Sequence, residues 1–61
     1  MDTVQIYADD SGEYRWRRRS ENGRIVADSG ESYTRAADCL EAAEAVFEGQ
    51  MLEYQVPERG E

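Results

Sequence analysis

The chain has 61 residues, fourteen of them acidic and seven basic, and its formal net charge is −7. At this length we expect one domain over residues 1–61, with a small core, because folding buries only about 60% of the unfolded surface. The single cysteine, Cys39, excludes an intrachain disulfide, and the absence of histidine argues against a metal centre, so we expect no metal and no cofactor.

The first half of the chain predicts three strands joined by short turns. Residues 3–8 alternate between two sides, and residues 14–20 alternate again after a polar turn. Asn22-Gly23 is a strong hairpin signal, and it precedes a third alternating run at residues 24–29. Because the connections are short, we expect the three strands to form an antiparallel meander.

The second half predicts one helix and a fourth strand. Good helix formers, five of them alanine, occupy residues 35–48, and Thr34 is the expected N-cap. Gly49 suits the position just after a helix. Residues 51–56 alternate once more and should form the last strand, which Pro57 ends.

The resulting order is β-β-β-α-β, an α+β fold in which one helix packs on one face of the sheet. The apolar stripe of the helix consists of Ala36, Leu40, Ala43 and Phe47, flanked by Cys39 and Val46. Leu40 and Phe47 contribute about 1.5–3 kcal/mol each when buried. That is little for a chain that stands alone, so we expect a homodimer. Residues 58–61 are expected to fray.

Four short motifs occur in order along the chain. They are Ile6-Tyr7, Gly12-Glu13-Tyr14-Arg15-Trp16-Arg17, Asn22-Gly23 and Ser29-Gly30-Glu31-Ser32-Tyr33. In this order and spacing they resemble the YegP-like domain of unknown function, over residues 4–47. The sequence departs from that pattern at Val4, where an aromatic residue is common, and at Thr34 and Arg35, where lysines are usual.

The resemblance implies a β-β-β-α-β unit that pairs with a second copy, either as a homodimer or as a tandem repeat in one chain. It also implies that the last strand, residues 51–56, is exchanged between the two units. Because this chain carries one repeat, the homodimer is the implied form. The family has no assigned biochemical role, so the resemblance informs the fold rather than the activity.

The charge composition is typical of a protein adapted to concentrated salt. Every basic residue is an arginine, and the net charge of −7 destabilises so short a compact chain by self-repulsion. Salt screens this repulsion, since the Debye length falls from about 10 Å at 0.1 M to about 3 Å at 1 M. An ordinary acidic protein with a biased set of arginines is the alternative. The sequence contains no apolar stretch typical of a membrane span or a signal peptide, so we expect a cytoplasmic protein.

The run from Arg15 to Arg19 is the most conspicuous charged feature. Arg15, Arg17 and Arg19 should form a positive ridge on one face of the second strand, near Tyr7. Such a ridge could bind phosphates and stack on bases, as sheet-based readers of single strands do, or bind an acidic protein or small anion. Alternatively, the arginines pair with carboxylates such as Asp28, or with carboxylates across the dimer. We favour this pairing, because a chain of net charge −7 repels polyanions.

The other distinctive side chains are interpreted as structural. Trp16 and Tyr14 share an aromatic face that is typical of a core or a dimer interface. Cys39 should be a packed side chain, because no histidine is present to activate it. The acidic turn is expected to be solvated rather than a specific cation site; it contains Asp9, Asp10 and Glu13.

The loop after the third strand carries a further candidate. Gly30 should supply a sharp turn, Glu31 is expected to pair with an arginine, and Tyr33 should pack on the sheet. A binding role for this loop is the alternative.

The favoured hypothesis is a non-enzymatic, homodimeric protein-interaction module of a halophile, with a second copy and another protein as partners. The alternative is a nucleic-acid or small-anion binder that uses the arginine ridge; nucleic acid is the less favoured ligand, and no membrane partner is expected. The candidate binding or interface residues are Tyr7, Arg15, Trp16, Arg17, Arg19, Glu31 and Tyr33.

Overall fold

The computed structural model describes residues 1–57, so the predicted fraying of residues 58–61 lies outside the described residues. The elements in chain order are β1 (Thr3–Ala8), β2 (Tyr14–Arg19), β3 (Ile25–Asp28), α1 (Ala36–Val46) and β4 (Glu53–Gln55). The predicted α+β fold with its β-β-β-α-β order is confirmed. The third and fourth strands are shorter than the runs of alternating residues that predicted them.

The four strands form one sheet in the order β3-β2-β1-β4. β2 pairs antiparallel with both β1 and β3, and it places Arg17 between Gln5 and Asp28. β4 pairs parallel with β1 of the same chain, with Tyr54 opposite Val4. The meander is therefore as predicted, and the last strand extends the sheet at its β1 edge. Exchange of this strand with a second copy stays a prediction.

Both hairpin turns contain a glycine in the left-handed region of backbone space. Gly12, between β1 and β2, has a φ of 85°, and its amide donates to the carbonyl of Asp9 over 3.0 Å. Gly23, between β2 and β3, has a φ of 90°, and its amide donates to the carbonyl of Ser20 over 2.9 Å. Glycine adopts this conformation without the steric cost that a Cβ brings, which is why the turns fall at these residues.

The core lies between the sheet and α1. Its buried apolar residues are Val4, Ile6, Trp16, Ala36, Cys39, Ala43 and Phe47. The buried stripe of α1 differs from the predicted one, because Cys39 is fully buried near its centre while Leu40 is only partly covered and Val46 is exposed. Small side chains on this stripe let the helix approach the sheet closely, and they also keep the core small.

The helix begins later than predicted. Its N-cap is Arg35, in an extended conformation with φ −129° and ψ 140°, and no side chain caps the first turn. The predicted cap, Thr34, is therefore wrong. Backbone hydrogen bonds tie Tyr33 to Tyr14 in an isolated β-bridge, so the chain is still extended where the helix was expected to start. At the other end, Gly49 follows the last turn with a φ of 84°. Within residues 1–57 no helix is both long and apolar enough to cross a membrane.

Candidate functional site

One face of the sheet packs against α1, and the opposite face, here called the open face, is not covered by that helix. Side chains alternate along each strand, so burial of Val4, Ile6 and Trp16 under the helix directs their neighbours to the open face. The open face consists of Thr3, Gln5, Tyr7, Arg15, Arg17, Arg19, Asp28, Glu53 and Gln55.

Arg17 lies near the middle of the open face and is held there by two residues of β1. Its guanidinium carbon is 4.3 Å from the centre of the Tyr7 ring, a cation–π distance. Its Nε donates to Oε1 of Gln5 over 2.9 Å. Within residues 1–57 no hydrogen bond or ion pair involves its two terminal nitrogens, and the expected pair with Asp28 is not formed. Arg17 turns toward β1 because Tyr7 and Gln5 together offer a ring surface and an acceptor.

Arg15 is neutralised by a carboxylate of the turn that precedes its strand. Its Nε donates to Oδ2 of Asp9 over 2.8 Å, while Oδ1 of Asp9 accepts from the amides of Ser11 and Glu13, each over 3.0 Å. The hydrogen bond from Arg15, followed by that from the Ser11 hydroxyl, holds the pKa of Asp9 well below its usual range. The same hydrogen bond raises the pKa of Arg15.

The acidic turn is thus a structural motif in which Asp9 is saturated by donors. Among residues 1–57 there is no group of three or more carboxylates or thiols placed to hold a metal ion.

Arg19, the third residue of the ridge, bonds to a neutral group. Its Nη1 donates to the carbonyl oxygen of Gly23 over 3.1 Å, in the turn that follows β2. Of the three ridge arginines, only Arg15 forms an ion pair within residues 1–57. Asp28, opposite Arg17, and Glu53, opposite Thr3, lie on the two outer strands of the same face. The open face therefore has a positive centre between two acidic margins.

Trp16 does not belong to the open face. It is 7% exposed and lies in the core, so its placement among the candidate binding residues is corrected. Tyr33 is also directed to the core, where it packs as a partly buried residue. Glu31 is exposed, and the ion pair expected for it is absent from the described part of the chain. The structure thus brings together only Tyr7, Arg15, Arg17 and Arg19 of the predicted set.

Arg18 has a structural role that the sequence analysis missed. It lies on the helix side of the sheet, with its guanidinium carbon 4.9 Å from the centre of the Phe47 ring. Its Nε donates to Asp2 over 2.9 Å and its Nη1 donates to Gln50 over 2.9 Å. Arg18 therefore joins the N-terminal residues, the sheet and the segment after α1. The signal was available in the alternation of β2, which places Arg18 on the same side as Trp16.

The loop between β3 and α1 is held to the sheet by its polar side chains. The Ser32 hydroxyl donates to a carboxylate oxygen of Glu13. The Ser29 hydroxyl accepts from the amide of Trp16 over 3.2 Å, and the amide of Ser29 donates to the Trp16 carbonyl over 2.8 Å. These contacts give the serines of the loop a role in closing the sheet. Cys39 is buried, and burial raises the pKa of its thiol, which favours the protonated form.

Comparisons with known proteins identify the family. Residues 9–48 match the family described as "Domain of unknown function (DUF1508)". The UPF0339 protein NMB1088 of Neisseria meningitidis serogroup B is 45% identical over 40 residues, which cover 66% of this chain and 70% of that protein. A UPF0339 protein of Methanosarcina acetivorans is 35% identical over 48 residues, or 79% of this chain and 81% of that protein.

A solved structure shares the fold. The NMR solution structure of a protein from Haloferax volcanii matches with a TM-score of 0.70 and 36% identity, over 74% of this chain and 75% of that one. The resemblance to the YegP-like domain is confirmed by these matches. The chain belongs to the DUF1508 family, a family of domains of unknown function.

Proposed function

We propose that the chain is a non-enzymatic, homodimeric protein-interaction module of a halophile. The observation that carries the proposal is the contrast between a small core and exposed apolar side chains near the last strand. Three of the seven buried core residues are alanine or cysteine. By contrast, Val46, Met51 and Val56 are 59%, 81% and 43% exposed. A short domain with so small a core gains stability by burying such side chains against a partner.

The dimer forms at the β1 edge, through exchange of the last strand. β4 has three residues, and Met51 and Val56 flank it on either side. If the segment is supplied by a second copy, the pairing of Tyr54 with Val4 is kept in the same register, while the exposed apolar residues around β4 come to lie at an interface. The turn at Gly49 is the hinge, because it lies between α1 and β4 and has a φ of 84°, which glycine adopts without steric cost.

The non-enzymatic part of the proposal is supported by the chemistry of the side chains. The sequence contains no histidine, the residue that most often transfers protons near neutral pH. Its one thiol, Cys39, lies on the buried face of α1, and burial raises its pKa. Arginine is not deprotonated in proteins, so the arginines of the open face suit binding to a charged group rather than proton transfer.

An isotope-filtered NMR experiment tests the exchange of the last strand. Labelled and unlabelled chains are unfolded together and refolded as a mixture, and contacts between a labelled and an unlabelled chain are recorded. We expect a contact between Val4 and Tyr54 that joins two different chains. A Val4–Tyr54 contact that occurs only within one chain would contradict strand exchange.

A further inference from the structure

The terminal nitrogens of Arg17 lie on the open face and form no hydrogen bond within residues 1–57. Nε of Arg17 donates to Gln5, and the guanidinium carbon lies over the Tyr7 ring, 4.3 Å from its centre. The two contacts fix the side chain and leave Nη1 and Nη2 without a hydrogen-bond partner in residues 1–57. Fixing an arginine in advance lowers the entropy lost when it binds, and its two terminal nitrogens match the two oxygens of a carboxylate.

We propose that the open face binds a carboxylate side chain of an acidic, extended segment from a partner protein, with Arg17 as the bidentate donor. This inference rests on the proposed function, for which it names the partner's chemistry and the surface that receives it. Arg19 is the second donor, since its charge is not neutralised within residues 1–57. Arg17 and Arg19 are two residues apart on β2, so their Cα atoms are about 6.5 Å apart, the repeat between same-side residues of an extended partner strand.

Charge complementarity favours a polypeptide over a nucleic acid. One nucleic-acid strand carries a negative charge on every nucleotide, about 3.4 Å apart when stacked, and much of that charge would lie over the acidic margins formed by Asp28 and Glu53. A segment with one or two carboxylates at its centre places them over the arginines and brings no charge over the acidic margins. The net charge of −7 adds long-range repulsion that grows with the charge of the ligand.

The test uses the full chain, labelled with nitrogen-15, at the lowest salt concentration at which it stays folded. The probes are a blocked Ser/Ala peptide with two Glu residues two positions apart at its centre, its counterpart with Gln in place of Glu, and an oligothymidylate of similar length. The variants are Arg17→Lys, which keeps the charge but loses the planar fork, and Arg24→Lys as the matched control. Arg24 is exposed, lies between β2 and β3, and has no side-chain partner in the described part of the chain.

We expect the Glu peptide to shift the Nε–Hε resonance of Arg17 and the amides of Gln5 and Tyr7. Arg17→Lys should weaken binding of the Glu peptide by about tenfold or more, because a bidentate contact is lost. Arg24→Lys should change affinity by less than about twofold. If Arg17→Lys fails to fold, the wild-type titration decides, since a shift at Arg17 Nε–Hε supports the site and its absence contradicts it.

Four results would overturn the inference. They are equal binding of the Gln peptide, unchanged affinity in Arg17→Lys, tighter binding of the oligothymidylate, and concentration-dependent shifts at Arg17 without any peptide. The last result would show that a second copy supplies the carboxylate. The oligomeric state is measured separately by light scattering. A dimer that does not bind the Glu peptide would contradict the inference, but it would leave the proposed dimer unaffected.

Discussion

The rings of Trp16 and Phe47 meet edge to face, with centroids 5.2 Å apart and planes inclined at 75°. Trp16 comes from β2, one of the two inner strands, and Phe47 from the C-cap of α1, so this contact joins the sheet to the end of the helix. Arg18 also lies over the Phe47 ring, with its guanidinium carbon 4.9 Å from the centre. Trp16 and Phe47 carry the two largest side chains among the buried residues of a core that is otherwise small.

Replacing Phe47 by leucine should destabilise the domain. The change keeps an apolar side chain but removes the edge-to-face contact, and we expect a loss of about 1–2 kcal/mol in the free energy of unfolding. Urea denaturation in molar salt measures it. The control is Ile25→Leu. Ile25 lies on edge strand β3 and is 47% exposed, so this change should alter stability by less than about 0.5 kcal/mol. Equal effects of the two changes would show that the aromatic pair is not central to the fold.

Two glycines provide a matched test of backbone conformation. Gly49 has a φ of 84° and open space where a Cβ would lie, so Gly49→Ala should cost about 1–2 kcal/mol through backbone strain alone. Gly30 also has open space but no positive φ, so Gly30→Ala should be neutral or stabilise by up to about 1 kcal/mol. Thermal melts of both variants decide, and a tolerated alanine at residue 49 would contradict the backbone assigned to this turn.

The fold was largely predictable because alternation along β1, β2 and β3 is a strong signal in this sequence. The position of β4 in the sheet was not predictable, because a period of two identifies a strand without telling which neighbour it pairs with. The parallel pairing with β1 follows from where α1 returns the chain. The start of α1 was misplaced for a tertiary reason, the bridge between Tyr14 and Tyr33, which keeps the chain extended past Thr34.

The candidate site was predictable in position but not in detail. Alternation was enough to place Arg15, Arg17 and Arg19 on one face. It could not decide whether Arg17 pairs with Asp28 or with Tyr7 and Gln5, because these residues all lie within reach of one long side chain. Only the geometry of the sheet resolves that choice, and it leaves the terminal nitrogens of Arg17 unpaired within residues 1–57.

Asp9 should govern part of the acid stability of the domain. Its pKa is lowered in the folded protein, chiefly by Arg15, from a usual value of 3.8. Its contribution is therefore fully present above the unfolded pKa and is lost as the pH falls below it toward the folded pKa. Asp9→Asn keeps an acceptor for the amides of the turn but removes the charge.

The difference in melting temperature between the wild type and Asp9→Asn should thus be constant from pH 7 to about pH 5 and shrink progressively below pH 4. Circular dichroism melts across this range measure it. Asp10→Asn, an exposed change of the same charge in the same turn, is the control. A difference that is independent of pH down to pH 2 would contradict the ion pair between Asp9 and Arg15.

Salt should stabilise the protein. The self-repulsion of a chain with net charge −7 is screened as the Debye length falls, so the melting temperature should rise by on the order of 5 °C or more between 0.1 M and 2 M potassium chloride. The triple variant Glu41→Gln, Glu44→Gln and Glu48→Gln removes three exposed charges from α1 and its C-terminal end, and its rise should be smaller. If the melting temperature of the wild type does not change with salt, the result would contradict adaptation to concentrated salt.

The central claim is that the chain works as a homodimer, and molar mass in solution tests it most directly. The measurement is size exclusion with multi-angle light scattering in molar potassium chloride. We expect a species of twice the chain mass of 7.0 kDa. A species of 7.0 kDa across the accessible concentration range would contradict the homodimer, and with it the exchange of the last strand.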